Sequence, residues 1–89
     1  MHVEYEWDEG KRNLNHAKHG VDFSEIEAFE WDTAVIDPST RHGELRHVAI
    51  GFIGDRLHQL VFTMRGRSCR IVSLRKANPR ESRRYERGK

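Results

Sequence analysis

Apolar and polar residues alternate from the start of the chain. Val3, Tyr5 and Trp7 are separated by Glu4 and Glu6, and this period of two predicts a short, half-buried strand. Asp8 then stands where a helix N-cap belongs and Gly20 where a C′ glycine belongs. Glu9 to His19 therefore reads as a helix with a narrow apolar stripe, Leu14 and Ala17. Ser24 and Glu27 have the spacing of a capping box, with Phe23 and Ala28 as a small staple. They predict a second helix that ends near Trp31 and packs through Ile26 and Phe29. From Thr33 the period returns to two. Ala34 to Asp37 is a short strand, closed by Pro38 and a polar run to Gly43. Leu45 to Ile53 and Leu57 to Arg65 are strands joined at Gly54-Asp55, and Gly66-Arg67 turns the chain into a further strand, Cys69 to Arg75. Asn78, Pro79 and Glu81 hold the N-cap, N1 and N3 places of a last helix. The layout is α+β: a small antiparallel meander with two N-terminal helices and one C-terminal helix, all gathered on one face.

With 89 residues, the chain should form one domain, 1–89, around a modest core. Cys69 stands alone, which rules out an internal disulfide and a cysteine-rich zinc module. No run of apolar residues has the form of a signal peptide or a membrane span, so a cytoplasmic location and no membrane partner are expected. His16 and His19 lie three apart but lack a third ligand, and neither a metal site nor a cofactor is expected. His19 reads as a helix C-terminal residue whose protonated form meets the dipole. Trp7 and Trp31 read as core anchors.

Charge changes the picture because it is sorted. Residues 1–40 carry three basic and ten acidic side chains, a net of −7, whereas residues 41–89 carry thirteen basic and four acidic, a net of +9. An arginine-rich half is suited to polyanions or to an acidic protein. Two features could use it. If Val48, Ile50, Phe52, Leu60, Phe62 and Met64 face the helices, the open face of the sheet presents His47, Gln59, Thr63 and Arg65. Ser73 and Arg75 share a row in the last strand. Arg70 and Lys76 fall in the other row unless a one-residue bulge swaps them. Guanidinium forks at Arg65 and Arg75 would suit phosphate oxygens. In the last helix, Arg80, Arg83, Arg84 and Arg87 make a stripe along one face, too dense for solvation alone.

The residues that carry these features also resemble a known family. Tyr5-Glu6-Trp7-Asp8, Lys11, Asn15, Lys18-His19-Gly20-Val21, Phe23 and Ala28-Phe29 are similar to the N-terminal half of the BrnT toxins. Thr63, Arg65-Gly66, Arg70-Ile71-Val72-Ser73, Arg75-Lys76-Ala77, Arg80-Glu81 and Arg83-Arg84-Tyr85-Glu86 resemble their C-terminal signature. The resemblance implies a fold similar to the RelE and ParE toxins. It further implies an RNA endonuclease of a type II toxin–antitoxin pair that arrests translation, acting on RNA that is free or at the ribosome. Its partner would be a BrnA-type antitoxin with a ribbon-helix-helix domain, and operator DNA would be met only through that antitoxin.

Joined to strand parity, this gives an expected site. RNA would be cut without a metal, by attack of the 2′-hydroxyl on the adjacent phosphate. Arg65 and Arg75 would stabilise the phosphorane, with Arg70 as substitute, Tyr85 or His47 as acid and Glu81 as base. Lys76, Arg80, Arg83 and Arg84 would hold the flanking backbone. The alternative is a non-catalytic module that blocks a target such as gyrase through its basic face.

Overall fold

The computed structural model describes residues 3–88. Its elements are β1 (Glu4–Glu6), α1 (Glu9–His19), a 3₁₀ segment (Phe23–Ala28) and a single 3₁₀ turn (Trp31–Thr33). They are followed by β2 (Val35–Arg41), β3 (Glu44–Ile53), β4 (Arg56–Arg65), β5 (Ser68–Lys76) and α2 (Pro79–Arg87). The five strands form one sheet in the order β1-β5-β4-β3-β2. β2 to β5 are an antiparallel meander, and β1 returns to pair parallel with the start of β5, Tyr5 opposite Cys69.

Both α-helices begin and end as their local residues dictate. The Asp8 side chain accepts the Lys11 amide, and Gly20, at φ 73°, ends α1 in the left-handed conformation. Asn78 and Glu81 cap α2 reciprocally, with Pro79 in its first turn. The middle segment departs from expectation. Asp22, not Ser24, is its N-cap, Glu25 completes the box, and the segment is 3₁₀. Its buried residues explain this: only Phe23 and Ile26 reach the core, three apart, and a three-residue turn stacks such a pair on one side. β2 also runs straight through Pro38 to Arg41. An edge strand tolerates the missing N–H that a central strand would not.

The inner face of the sheet carries Ala49, Leu60, Phe62, Cys69, Ile71 and Leu74, covered by Val21, Phe23, Ile26 and Phe29. Trp7 and Trp31 pack against this cluster, Trp7 edge-on to Phe23 and Trp31 edge-on to Phe29 and Phe62. Gly51 is needed there, since a Cβ would stand 2.7 Å from the Phe29 ring. Burial pushes the Cys69 thiol up to about 11, which makes it a core residue and not a nucleophile.

The helices are not gathered on one face. In β3 the alternation is opposite to that expected: Ala49 and Gly51 face inward, while Val48, Ile50 and Phe52 face the other side. There Phe52 meets the Tyr85 ring edge-on, so α2 lies on the outer face. α1 takes neither face. It meets β5 along the edge that short β1 leaves open, where Asn15 donates to the Leu74 and Val21 carbonyls and accepts the Leu74 amide. Nearby, Arg12 binds both oxygens of Asp22, at 2.8 and 3.2 Å, and ties α1 to the 3₁₀ segment.

Two predictions follow from these ties. Asn15→Ala should leave the Leu74 backbone and the Val21 carbonyl unsatisfied in a buried position and cost about 1–3 kcal/mol in urea unfolding. Hydrogen bonds from Arg12, then from Ser24, hold the Asp22 carboxyl well below its usual range. Asp22 therefore contributes stability that is present above its unfolded pKa and lost as pH falls into the acid range. Melting temperatures should fall less steeply on acidification in Asp22→Asn than in the wild type, and parallel curves would contradict this.

Candidate active site

The fifth strand sets the layout of the outer face. Val61 pairs with Ser73 but Phe62 pairs with Ile71, so Val72 is an extra residue and β5 is bulged there. On the far side of the bulge the rows exchange. Ile71 and Leu74 are both buried in the core, and Arg70 and Arg75 consequently share the outer face.

Between the end of α1 and the sheet this face holds an open hollow of about 460 Å³. Its floor includes Val48, Val61, Gln59 and Ser73. Around it stand Lys18 and His19 at the end of α1, Arg41 and Arg46 from β2 and β3, and Arg75 from β5. No carboxylate is among the described lining residues. Lys18 and Arg41 take part in no ion pair among the described residues, and Arg46 reaches Glu44 at 3.2 Å. A second hollow of about 380 Å³ shares Val48 and Gln59 with the first and is lined by Arg80, Arg84 and Arg87 of α2 together with the carboxylates Asp37 and Glu81. The cations thus border one continuous outer-face trough.

Arg75 is the most firmly placed of them. Its guanidinium grips Glu81 with two hydrogen bonds, 2.9 and 2.6 Å, while Gln59 donates to the same carboxylate at 2.7 Å and the Asn78 amide donates at 3.0 Å. Burial alone would raise the Glu81 pKa, but the Arg75 hydrogen bonds, the Asn78 amide and the charges of Arg75 and Arg80 outweigh it and hold the carboxyl below its usual value. A carboxylate with four donors and a depressed pKa is a poor proton acceptor. Glu81 acts here as the clamp on Arg75, not as the expected base.

The other expected residues lie outside the hollow around Arg75. Arg65 shares the face with Arg75 but not the hollow. It lies six residues along β4 from Gln59, the partner of Arg75, which is roughly 20 Å at strand rise. Arg70 is held by Glu6 at 2.9 Å. His47 is on the inner face, stacked on Phe62 with its Nδ1 buried and without a hydrogen-bond partner, because β3 alternates the other way. Tyr85 is buried against Phe52. Lys76 pairs with inner-row His58. Arg84 binds Asp37 at 2.8 Å, and Arg83 is exposed and lines neither hollow. Among the described residues no three His, Cys, Asp or Glu side chains come together as a metal site.

Sequence reasoning missed Lys18, His19, Arg41 and Arg46 as a group. Lys18 and His19 directly precede Gly20, and the helix stop that this glycine predicts was the local signal that their side chains end beside the next element. His19 also behaves unlike a helix-terminal imidazolium. Burial first, then the charges of Lys18 and Arg75, lower its pKa.

A family model described as the ribonuclease toxin BrnT of type II toxin–antitoxin systems matches residues 7–81. The chain belongs to the BrnT family. It is a ribonuclease toxin of a type II toxin–antitoxin system, with RNA as substrate and an antitoxin as partner. Among solved structures, the 1.1 Å crystal structure of the Brucella abortus ribonuclease toxin BrnT is similar to it. The two are 32% identical with a TM-score of 0.71, over 86% of this chain and 99% of that one. No curated protein matches the chain. Neither finding supports a non-catalytic gyrase-blocking module.

For this BrnT-family toxin the clamp makes a clear prediction. Glu81→Gln keeps an oxygen to cap α2 but removes the charge that fixes Arg75. RNA cleavage should fall by about 10²-fold, as misplaced groups do, while the melting temperature stays near that of the wild type. Undiminished cleavage would show that Arg75 needs no clamp.

Proposed function

We propose that the toxin cleaves RNA in the outer-face trough without a metal ion, by attack of a ribose 2′-hydroxyl on the adjacent phosphate. The observation that supports this most directly is the hollow around Arg75, bordered by Lys18, His19, Arg41 and Arg46. A strand of RNA needs cations at the scissile phosphate and along its backbone, and phosphorane charge is best met by a donor already fixed in place. Arg75, gripped by Glu81, supplies that fixed donor. Its guanidinium forks onto the non-bridging oxygens, and Lys18 and Arg46 complete the countercharge. Arg80, Arg84 and Arg87 bind the backbone of the neighbouring nucleotides in the second hollow. Dependence on a 2′-hydroxyl restricts the reaction to RNA.

On this reading the fold is a variant of the RelE and ParE toxin fold, and loss of messenger RNA arrests translation in the cytoplasm. The antitoxin is of the BrnA type, with a ribbon-helix-helix domain. The toxin meets operator DNA only through it, and the complex represses its own operon.

Induced expression in a bacterium, with growth and total RNA followed together, tests the reading. Wild type should arrest growth and degrade RNA. Arg75→Ala should lose both through a drop of about 10²–10³-fold in cleavage, and Arg65→Ala, remote from the hollow, should remain toxic. Equal toxicity of Arg75→Ala would remove the hollow from the reaction.

A further inference from the structure

The hollow around Arg75 is rich in groups that hold a phosphate and poor in groups that can take a proton. Lys18, Arg41, Arg46 and Arg75 are cationic donors, and Gln59, Ser39 and Ser73 are weak bases. Glu81 stands behind Arg75 with its oxygens already taken by Arg75, Gln59 and the Asn78 amide. His47 and His58 belong to the inner rows of β3 and β4. Asp37, which lines the second hollow, is paired with Arg84 at 2.8 Å. Among the described residues that line the hollow around Arg75, His19 is the remaining side chain with a basic lone pair.

Its position is well determined. His19 is the last residue of α1, and Gly20 stops the helix there. One turn earlier, Asn15 fastens the helix to the free edge of β5 through both polar groups of Leu74. The imidazole is thereby brought over the edge of the sheet into the company of Ser73 and Arg75, half-buried.

We infer that His19 is the base that accepts the proton of the attacking 2′-hydroxyl. The inference rests on the reading that the hollow around Arg75 holds the scissile phosphate. In the step, the 2′-oxygen bonds to phosphorus as its proton passes to the ring, and the bond from phosphorus to the 5′-oxygen breaks. The products are a 2′,3′-cyclic phosphate and a 5′-hydroxyl. The leaving oxygen takes a proton from water, and the imidazolium returns one to solvent as the ring resets. The charged groups that line the hollow with the ring are cations: Lys18 on its own helix, Arg46 of β3, Arg41 of β2 and Arg75 of β5. Burial and two of these, Lys18 and Arg75, lower its pKa, so the ring is neutral and able to accept a proton at physiological pH. A His at a helix C-terminus would ordinarily be favoured as a cation, and here the site overrides that preference.

The test uses the purified full chain on an RNA oligonucleotide and on the same oligonucleotide with a deoxyribose at the cut position. His19→Ala should cut the RNA about 10²–10⁴-fold more slowly, melt as the wild type does, and bind the deoxy oligonucleotide unchanged. Wild-type cleavage should decline as pH falls below the ordinary histidine value. His19→Ala should lack that acid limb and be accelerated by added imidazole. His19→Gln, which keeps a polar side chain of similar reach, should be as slow as His19→Ala. If the deoxy oligonucleotide is cut, the 2′-hydroxyl reading falls and the base with it. If only RNA is cut but His19→Ala keeps its rate and its acid limb, His19 is not the base and the reading of the hollow stands. A loss of rate that tracks weaker binding and ignores imidazole would equally overturn the assignment.

Discussion

Ile71 and Leu74 must both reach the core, and they are three residues apart. A regular strand sends residues two apart to the same side, so no regular β5 can bury this pair. Val72, bulged out opposite the Val61–Phe62 step, resolves the conflict, and much of the molecule is arranged around that one irregularity. It exchanges the rows of the strand, so that Arg75 and Ser73 emerge on the outer face while Leu74 stays in the core. It also falls beyond the short reach of β1, where the strand edge is left for α1 to cover. Asn15 satisfies that edge with a side-chain amide, in place of the backbone a further strand would supply. Hydrophobic pattern, bulge and helix docking thus act together to set Arg75 beside His19.

Four of the ten carboxylates in residues 1–40, Glu6, Glu9, Asp22 and Asp37, are paired with arginines. Asp22 binds Arg12, Glu6 binds Arg70, and Asp37 binds Arg84, while in the basic half Glu44 and Glu81 bind Arg46 and Arg75. Pairs this exposed add little to stability. Their larger effect is on direction, because a paired guanidinium no longer samples its many rotamers. Lys18 and Arg41, which have no such partner among the described residues, leave the hollow around Arg75 with surplus positive charge.

Local signals in the sequence were readable and mostly correct. The Asp8 and Gly20 limits of α1, and the Asn78-Pro79-Glu81 start of α2, depend on residues within one turn of each other. The ordered signature from Tyr5 to Glu86 pointed to the family. What could not be read depends on distant partners. His47 stands on the inner face because β3 as a whole alternates opposite to the expected sense, which only its pairing with β4 reveals. Glu81 is a clamp because Arg75 and Gln59 converge on it from two strands. His19 shares its hollow with Arg75, more than fifty residues away in sequence, and no short window along the chain contains both. β2 survives Pro38 only because it is an edge, a property of sheet order and not of the residue.

The trough is also built from the two ends of the chain. Lys18 and His19 come from the first quarter, Arg75 and its clamp Glu81 from the last, and β1 pairs with β5 across almost the whole sequence. Such long-range closure is slow relative to local folding. During vectorial synthesis it also cannot begin until β5 has been made. The first and last quarters of the chain must therefore both be made before the proposed site can be complete.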